Sequence, residues 1–117
     1  VINHEGFWWS KDEPHLPKPI ALPYKWVGRK AFLQSLRRTE ARIDTHKIGR
    51  VSECKGSSWC RICEEKNGSK EYSLSFMESI WEWPAGYLHY IKAHNVRPSQ
   101  AFQEFIMAVD AGSSKVK

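Results

Sequence analysis

Cys60 and Cys63 are separated by two residues, and His89 and His94 follow in a stretch of helical character. Zinc takes four soft or borderline ligands in a tetrahedron, most often thiolate and imidazole. A Cys-x2-Cys turn offers two sulfurs on one side of a hairpin. Two imidazoles on a helix packed across that hairpin complete the set. The pattern Cys60-x2-Cys63-x25-His89-x4-His94 therefore predicts a structural Zn2+ site. Positions five apart on an ideal helix point about 140° apart. Both histidines reach one ion only if the helix tightens or opens, and its expected end at His94-Asn95 is where distortion costs least. Cys54 and His46 are reserve ligands. Each ligand also has a plainer reading, as a reduced thiol of the kind often buried or as a core histidine satisfied by a carbonyl.

The elements that must carry these residues can be read from periodicity. Residues 1–25 hold Pro14, Pro17, Pro19 and Pro23. Each internal proline removes a donor and clashes with the preceding turn, so this stretch is an extended arm. Phe7, Trp8, Trp9, Ile20 and Leu22 are expected to pin it to the rest of the protein; the other reading is a proline-rich ligand for an aromatic groove. Residues 26–43 read as a helix with Phe32, Leu33, Leu36 and Ile43 on one side. A strand is expected near 47–53, then a hairpin with strands at 57–63 and 70–76 and its turn at Glu64–Ser69. Asn67-Gly68 is read there as a turn signal before it is read as part of a glycosylation sequon. Tyr72, Leu74 and Phe76 alternate with Glu71, Ser73 and Ser75, and Trp81 and Trp83 with Ile80 and Glu82, which is the period of half-buried strands. A helix over 84–95 has Pro84 in its first turn and Asn95 as its cap. A last helix over about 99–110 carries Phe102, Phe105, Ile106 and Val109, and 113–117 is expected to be disordered. The fold class is α+β: a small antiparallel sheet, about three helices and a finger-like zinc site. Residues 26–112 form its single domain.

The ligand order, and the order hairpin then helix, resemble Cys2His2 zinc fingers. The resemblance covers about residues 59–95. It departs in one respect: 25 residues separate the ligand pairs, where a DNA-reading finger has about 12. The resemblance thus implies a finger-like site inside a larger domain, not a free-standing DNA reader. The runs "CRIC…NGSKEY" and "WPAGYLHYIKAHNVRPSQAFQEFI" also resemble a group of small uncharacterised proteins, which implies a compact domain and supplies no activity.

Composition narrows the function further. The chain has 117 residues and a formal charge of +5, which permits binding to nucleic acid or anionic surfaces. No apolar run approaches the roughly 20 residues that span a bilayer, so no membrane partner is expected. The opening residues lack the basic start and apolar stretch of a secretory signal. Three cysteines, two of them three positions apart, suit an intracellular metal site better than a disulfide scaffold. A zinc deaminase needs His-x-Glu and Pro-Cys-x-x-Cys, but Trp59 precedes Cys60 and Lys47 follows His46. A thioredoxin-like pair must open a helix, and Asn67-Gly68 comes too soon. A His-Glu-x-x-His peptidase needs a Glu between its histidines, and "HYIKAH" has none. A ββα-metal nuclease remains the enzymatic alternative, with only His46 and Asn95 left for it once His89 and His94 hold zinc. The favoured reading is a non-enzymatic module that binds a protein or nucleic acid. For the latter, the expected surface is Arg29, Lys30, Arg37, Arg38 and Arg42, joined by Lys25, with a solvated helix face as the plainer account.

Overall fold

The apolar stripes of two helices and the inward face of a sheet meet around Phe102. In a computed structural model of the chain the described residues are 1–115, except for the side chains of 54–57 and 113–115. The side chain of the reserve ligand Cys54 therefore lies outside them, as do residues 116–117 of the tail. The elements are β1 (Ile2–His4), α1 (Arg29–Asp44), β2 (Arg50–Trp59), β3 (Lys66–Phe76), β4 (Ser79–Pro84), α2 (Tyr87–His94) and α3 (Gln100–Lys115). α3 continues past the expected end near 110. Its stripe is buried as the spacing requires, with Phe102 and Ile106 at 0% exposure. On α1, Phe32, Leu33, Leu36 and Ile43 are all buried. Phe102 meets Trp81 and Trp83 at ring-centroid distances of 5.3 Å each, Tyr87 at 5.8 Å and Phe32 at 6.0 Å. Offset and edge contacts of this kind add to the area term of aromatic burial.

Among the described residues the strands form one sheet in the order β1-β4-β3-β2. β2, β3 and β4 are antiparallel neighbours. Tyr72, Leu74, Trp81 and Trp83 turn inward, so the expected alternation holds. β3 and β4 meet at Met77-Glu78, both with positive φ (47° and 67°), the backbone of a two-residue primed turn that matches strand twist. Pro84 ends β4 and does not open α2. Its ring needs no ladder donor there, and a strand end tolerates it.

The sheet is mixed, not purely antiparallel, because the start of the arm joins it. β1 runs parallel to β4 with Ile2 opposite Ile80 and His4 opposite Glu82. Glu5 then fixes this edge to the helices. Its carboxylate accepts from the Tyr87 hydroxyl at 2.7 Å, the Ser99 N–H at 2.8 Å and the Ser99 hydroxyl at 3.0 Å. Ser99 Oγ in turn accepts the Phe102 N–H at 3.2 Å, capping α3. Farther along, Trp8 packs edge-on against Tyr87 and Tyr90, and Leu22 lies against the core. Trp9 and Ile20 are exposed (36% and 73%) and do not pin the arm.

One buried acid has no counterpart in the expectations. Glu40 is 7% exposed and accepts a hydrogen bond from Trp83 Nε1 at 2.9 Å. Burial pushes its carboxyl up to about 7 against the lowering effect of the Trp83 bond, and the charge of Asp44 adds to the rise.

Candidate metal centre

The cysteines make the turn between β2 and β3 themselves. Trp59 and Lys66 are the last paired residues of the hairpin. The Cys60 N–H then donates to the Glu65 carbonyl at 2.8 Å, and the Glu64 N–H donates to the Cys60 carbonyl at 2.9 Å. The N–H groups of Ile62 and Cys63 both point at Cys60 Sγ, at 3.4 and 3.5 Å. The expectation of a strand through Cys63 and a turn at Glu64–Ser69 is corrected accordingly. Asn67-Gly68 lies within β3, where Ser58 pairs with Gly68 and Trp59 with Lys66. Asn67 is the extra residue of a β-bulge. Gly68, at φ 126°, supplies there the backbone freedom that resembles a turn signal in sequence.

α2 brings the histidines. The N–H groups of Asn95 and Val96 both return to the Tyr90 carbonyl, a wider loop than the four-residue step of an α-helix. Asn95 itself is left-handed (φ 53°). The helix end therefore opens, as the five-residue spacing of the histidines demands, and carries His94 toward the face of His89. Their rings stand 5.1 Å apart.

Cys60, Cys63, His89 and His94 thus converge, with one ligand atom from each within 4.8 Å of all the others. Cys63 Sγ lies 3.3 Å from His89 Nε2. Cys60 is buried, the histidines are half-buried and Cys63 is exposed. His94 Nε2 is buried without a hydrogen-bond partner among the described residues. A buried ring nitrogen with no partner is costly, and a metal would satisfy it. Both described cysteines are free.

Protonation favours the same outcome. Burial lowers the His94 pKa and the charge of His89 lowers it further, outweighing Glu65. His94 is therefore neutral, the ligating form, at pH 7. The Cys63 thiol is affected in both directions. A backbone hydrogen bond from Glu65 lowers its pKa, while desolvation and the nearby Cys60 raise it, and the net shift is upward. A dication between the sulfurs favours both thiolates and reverses that balance.

A supporting layer escaped the sequence reading. Tyr90 is buried between the two histidines in sequence, and its hydroxyl accepts the Arg61 N–H at 2.7 Å. Arg61 Nε donates to the Trp9 carbonyl at 2.9 Å, and its guanidinium also reaches the Trp59 carbonyl. One arginine inside the Cys-x2-Cys turn thus ties the turn to the arm. The signal for Tyr90 was its spacing from Tyr87 and Ile91 on the core face of α2.

The other proposed site residues are dispersed. His46 sits exposed and left-handed after α1, outside the cluster. Arg38 is ion-paired with Asp110 at 2.7 Å, Arg42 and Arg29 are half-buried, and Lys30 and Arg37 are exposed. Among the described residues no helix is long and apolar enough to cross a membrane. Comparisons with protein-family models, curated proteins and solved structures give no match.

Proposed function

We propose that the chain is a zinc-clamped, non-catalytic binding module of a reducing compartment. In this reading Zn2+ held by Cys60, Cys63, His89 and His94 locks the β2–β3 turn onto α2. The observation that carries it is the convergence of four Cys and His ligand atoms from two separate elements within 4.8 Å. Tetrahedral zinc with Zn–S of about 2.3 Å and Zn–N of about 2.0–2.1 Å separates its ligand atoms by roughly 3.3–3.8 Å. The 3.3 Å from Cys63 Sγ to His89 Nε2 is within about 0.3 Å of the sulfur–nitrogen separation such a site needs. The 4.8 Å limit on all the ligand-atom separations exceeds that spacing by only about 1 Å. Mixed thiolate and imidazole ligands favour zinc over the harder divalent ions. A site closed by four protein ligands leaves no position for an activated water, which supports a structural role over a nuclease.

The test is elemental analysis of protein purified without chelators or a nickel column, followed by cobalt substitution. One zinc per chain, and a cobalt derivative with the visible bands of tetrahedral thiolate coordination, are expected. No metal in the wild type, with an intact fold, would refute the reading.

A further inference from the structure

No acidic residue occurs between Glu13 and Glu40, nor between Glu82 and Glu104. The fold joins these two acid-free segments. Ala21 bridges to Val96, and the Leu22 N–H donates to the Asn95 carbonyl. Arg29 Nη2 donates to the Lys92 carbonyl at 2.7 Å, and the Arg97 guanidinium lies 5.7 Å above the buried Trp26 ring. Arg29, Lys92 and Arg97 are brought together in this way at the end of α2 that carries His94, with Lys25 and Lys30 beside Trp26 and Arg29 in the chain.

We propose that this face binds the phosphodiester backbone of single-stranded nucleic acid. The inference rests on the reading of the domain as a binding module and supplies the surface and the ligand class. Two of its five cations are guanidiniums, which suit phosphate oxygens, and both are already positioned by contacts with the fold. Tyr24, 60% exposed beside Lys25, offers a ring on which a base can stack. The face differs from the α1 stripe expected from sequence. It keeps Lys25, Arg29 and Lys30, omits Arg37, Arg42 and Arg38, the last of which Asp110 neutralises, and gains Lys92 and Arg97 from a distant part of the chain. Ile20 and Val27 are exposed in the same segment, but two aliphatics beside five cations favour nucleic acid over a lipid surface.

The test is fluorescence anisotropy of labelled oligo(dT) and oligo(U) of about 20 nucleotides, titrated with the zinc-loaded chain. Four phosphate contacts predict roughly a 50-fold loss of affinity for a fourfold rise in salt. The triple substitution Lys25→Glu, Lys30→Glu and Lys92→Glu changes only exposed side chains. It is expected to weaken binding at least about tenfold at low salt, whereas Lys47→Glu, beyond α1, leaves it within about twofold. No binding at low salt, equal binding by the triple variant, or binding to phosphatidylserine vesicles without binding to either oligonucleotide overturns the proposal. A chain that holds zinc but ignores oligonucleotides overturns this surface and leaves the metal site standing. Oligonucleotide binding that depends on these lysines in a chain without metal does the reverse.

Discussion

Serine in place of Cys63 separates coordination from packing. Cys63 is exposed, whereas Cys60 is 1% exposed and belongs to the core. A Cys60 variant would therefore mix metal loss with a change in burial. If Cys63 were an ordinary surface thiol, the substitution would change stability by no more than about 0.5 kcal/mol. If it holds zinc, the loss draws on a coupled folding energy on the order of 10 kcal/mol. Total stability for a domain of this size is roughly 5–15 kcal/mol. Even a 3 kcal/mol share lowers Tm by roughly 10–20 °C. The assay is thermal unfolding by circular dichroism of wild type and Cys63→Ser, each with and without a chelator, alongside zinc per chain. The expected result is a large Tm drop in the variant, matched by chelated wild type, and no further effect of chelator on the variant. A variant that keeps one zinc and melts within about 2 °C of wild type would refute the assignment of Cys63.

Three further outcomes follow from the packing. Glu40 has its folded pKa raised from 4.5 to about 7, chiefly by burial. The unfolded chain therefore ionises first, and stability is lost as pH rises from about 4.5 through 7. Relative to wild type, Glu40→Gln should gain up to about 3 kcal/mol over that window; parallel urea-stability curves across pH would contradict this. Glu5→Ala leaves the buried Tyr87 hydroxyl unpaired and weakens the Ser99 cap, so chemical denaturation should show a loss of about 2–4 kcal/mol. A change under about 0.5 kcal/mol would mean the arm is not fixed there. A Cβ at Gly86 would meet the Asn67 side chain at 2.7 Å and its carbonyl oxygen at 2.8 Å. Gly86→Ala should therefore cost about 1–3 kcal/mol, and Asn67→Ala should not rescue it, because the backbone contact remains; full rescue in the double variant would show that only the side chain matters.

What was legible in the sequence was whatever repeats locally. The stripe Phe102, Phe105, Ile106 and Val109 marked α3, and the alternation through Tyr72 to Phe76 marked β3. The four ligands stood out because chemistry restricts their types and spacing. Where the reading failed, two structures shared one local signal. A glycine with positive φ serves a turn or a bulge equally well, so Asn67-Gly68 could not show which; the N–H groups directed at Cys60 Sγ decide it. Three residues, Ile2–His4, carry too short a pattern to announce a strand, and their partner β4 (Ser79–Pro84) lies far along the chain. Glu40 could have been noticed, since it shares a helix face with Leu36 and Ile43 by spacing. Its partner Trp83 could not be read, because only the tertiary fold joins α1 to β4.

The position of the Cys60, Cys63, His89 and His94 cluster answers a deficiency in the fold. Between residues 52 and 71, Cys60 is the only buried residue among those described. Among the described residues the outer half of the β2–β3 hairpin therefore has almost no apolar anchor, and an isolated two-stranded hairpin is marginal in water. Hydrophobic burial stabilises the inner half through Tyr72 and Leu74 against the helices. At the tip the same work falls to polar contacts: the Tyr90 hydroxyl on the Arg61 N–H, Arg61 on the arm, and the four-ligand cluster. Each hydrogen bond contributes only about 1 kcal/mol net, less than is needed to hold a long hairpin in place. A metal ion concentrates several times that in one point. It also acts where α2 has opened its last turn, an arrangement that an unliganded helix end favours less. A zinc ion there would hold both the hairpin tip and the segment that carries Lys92, Asn95 and Arg97, coupling metal binding to the order of the basic face.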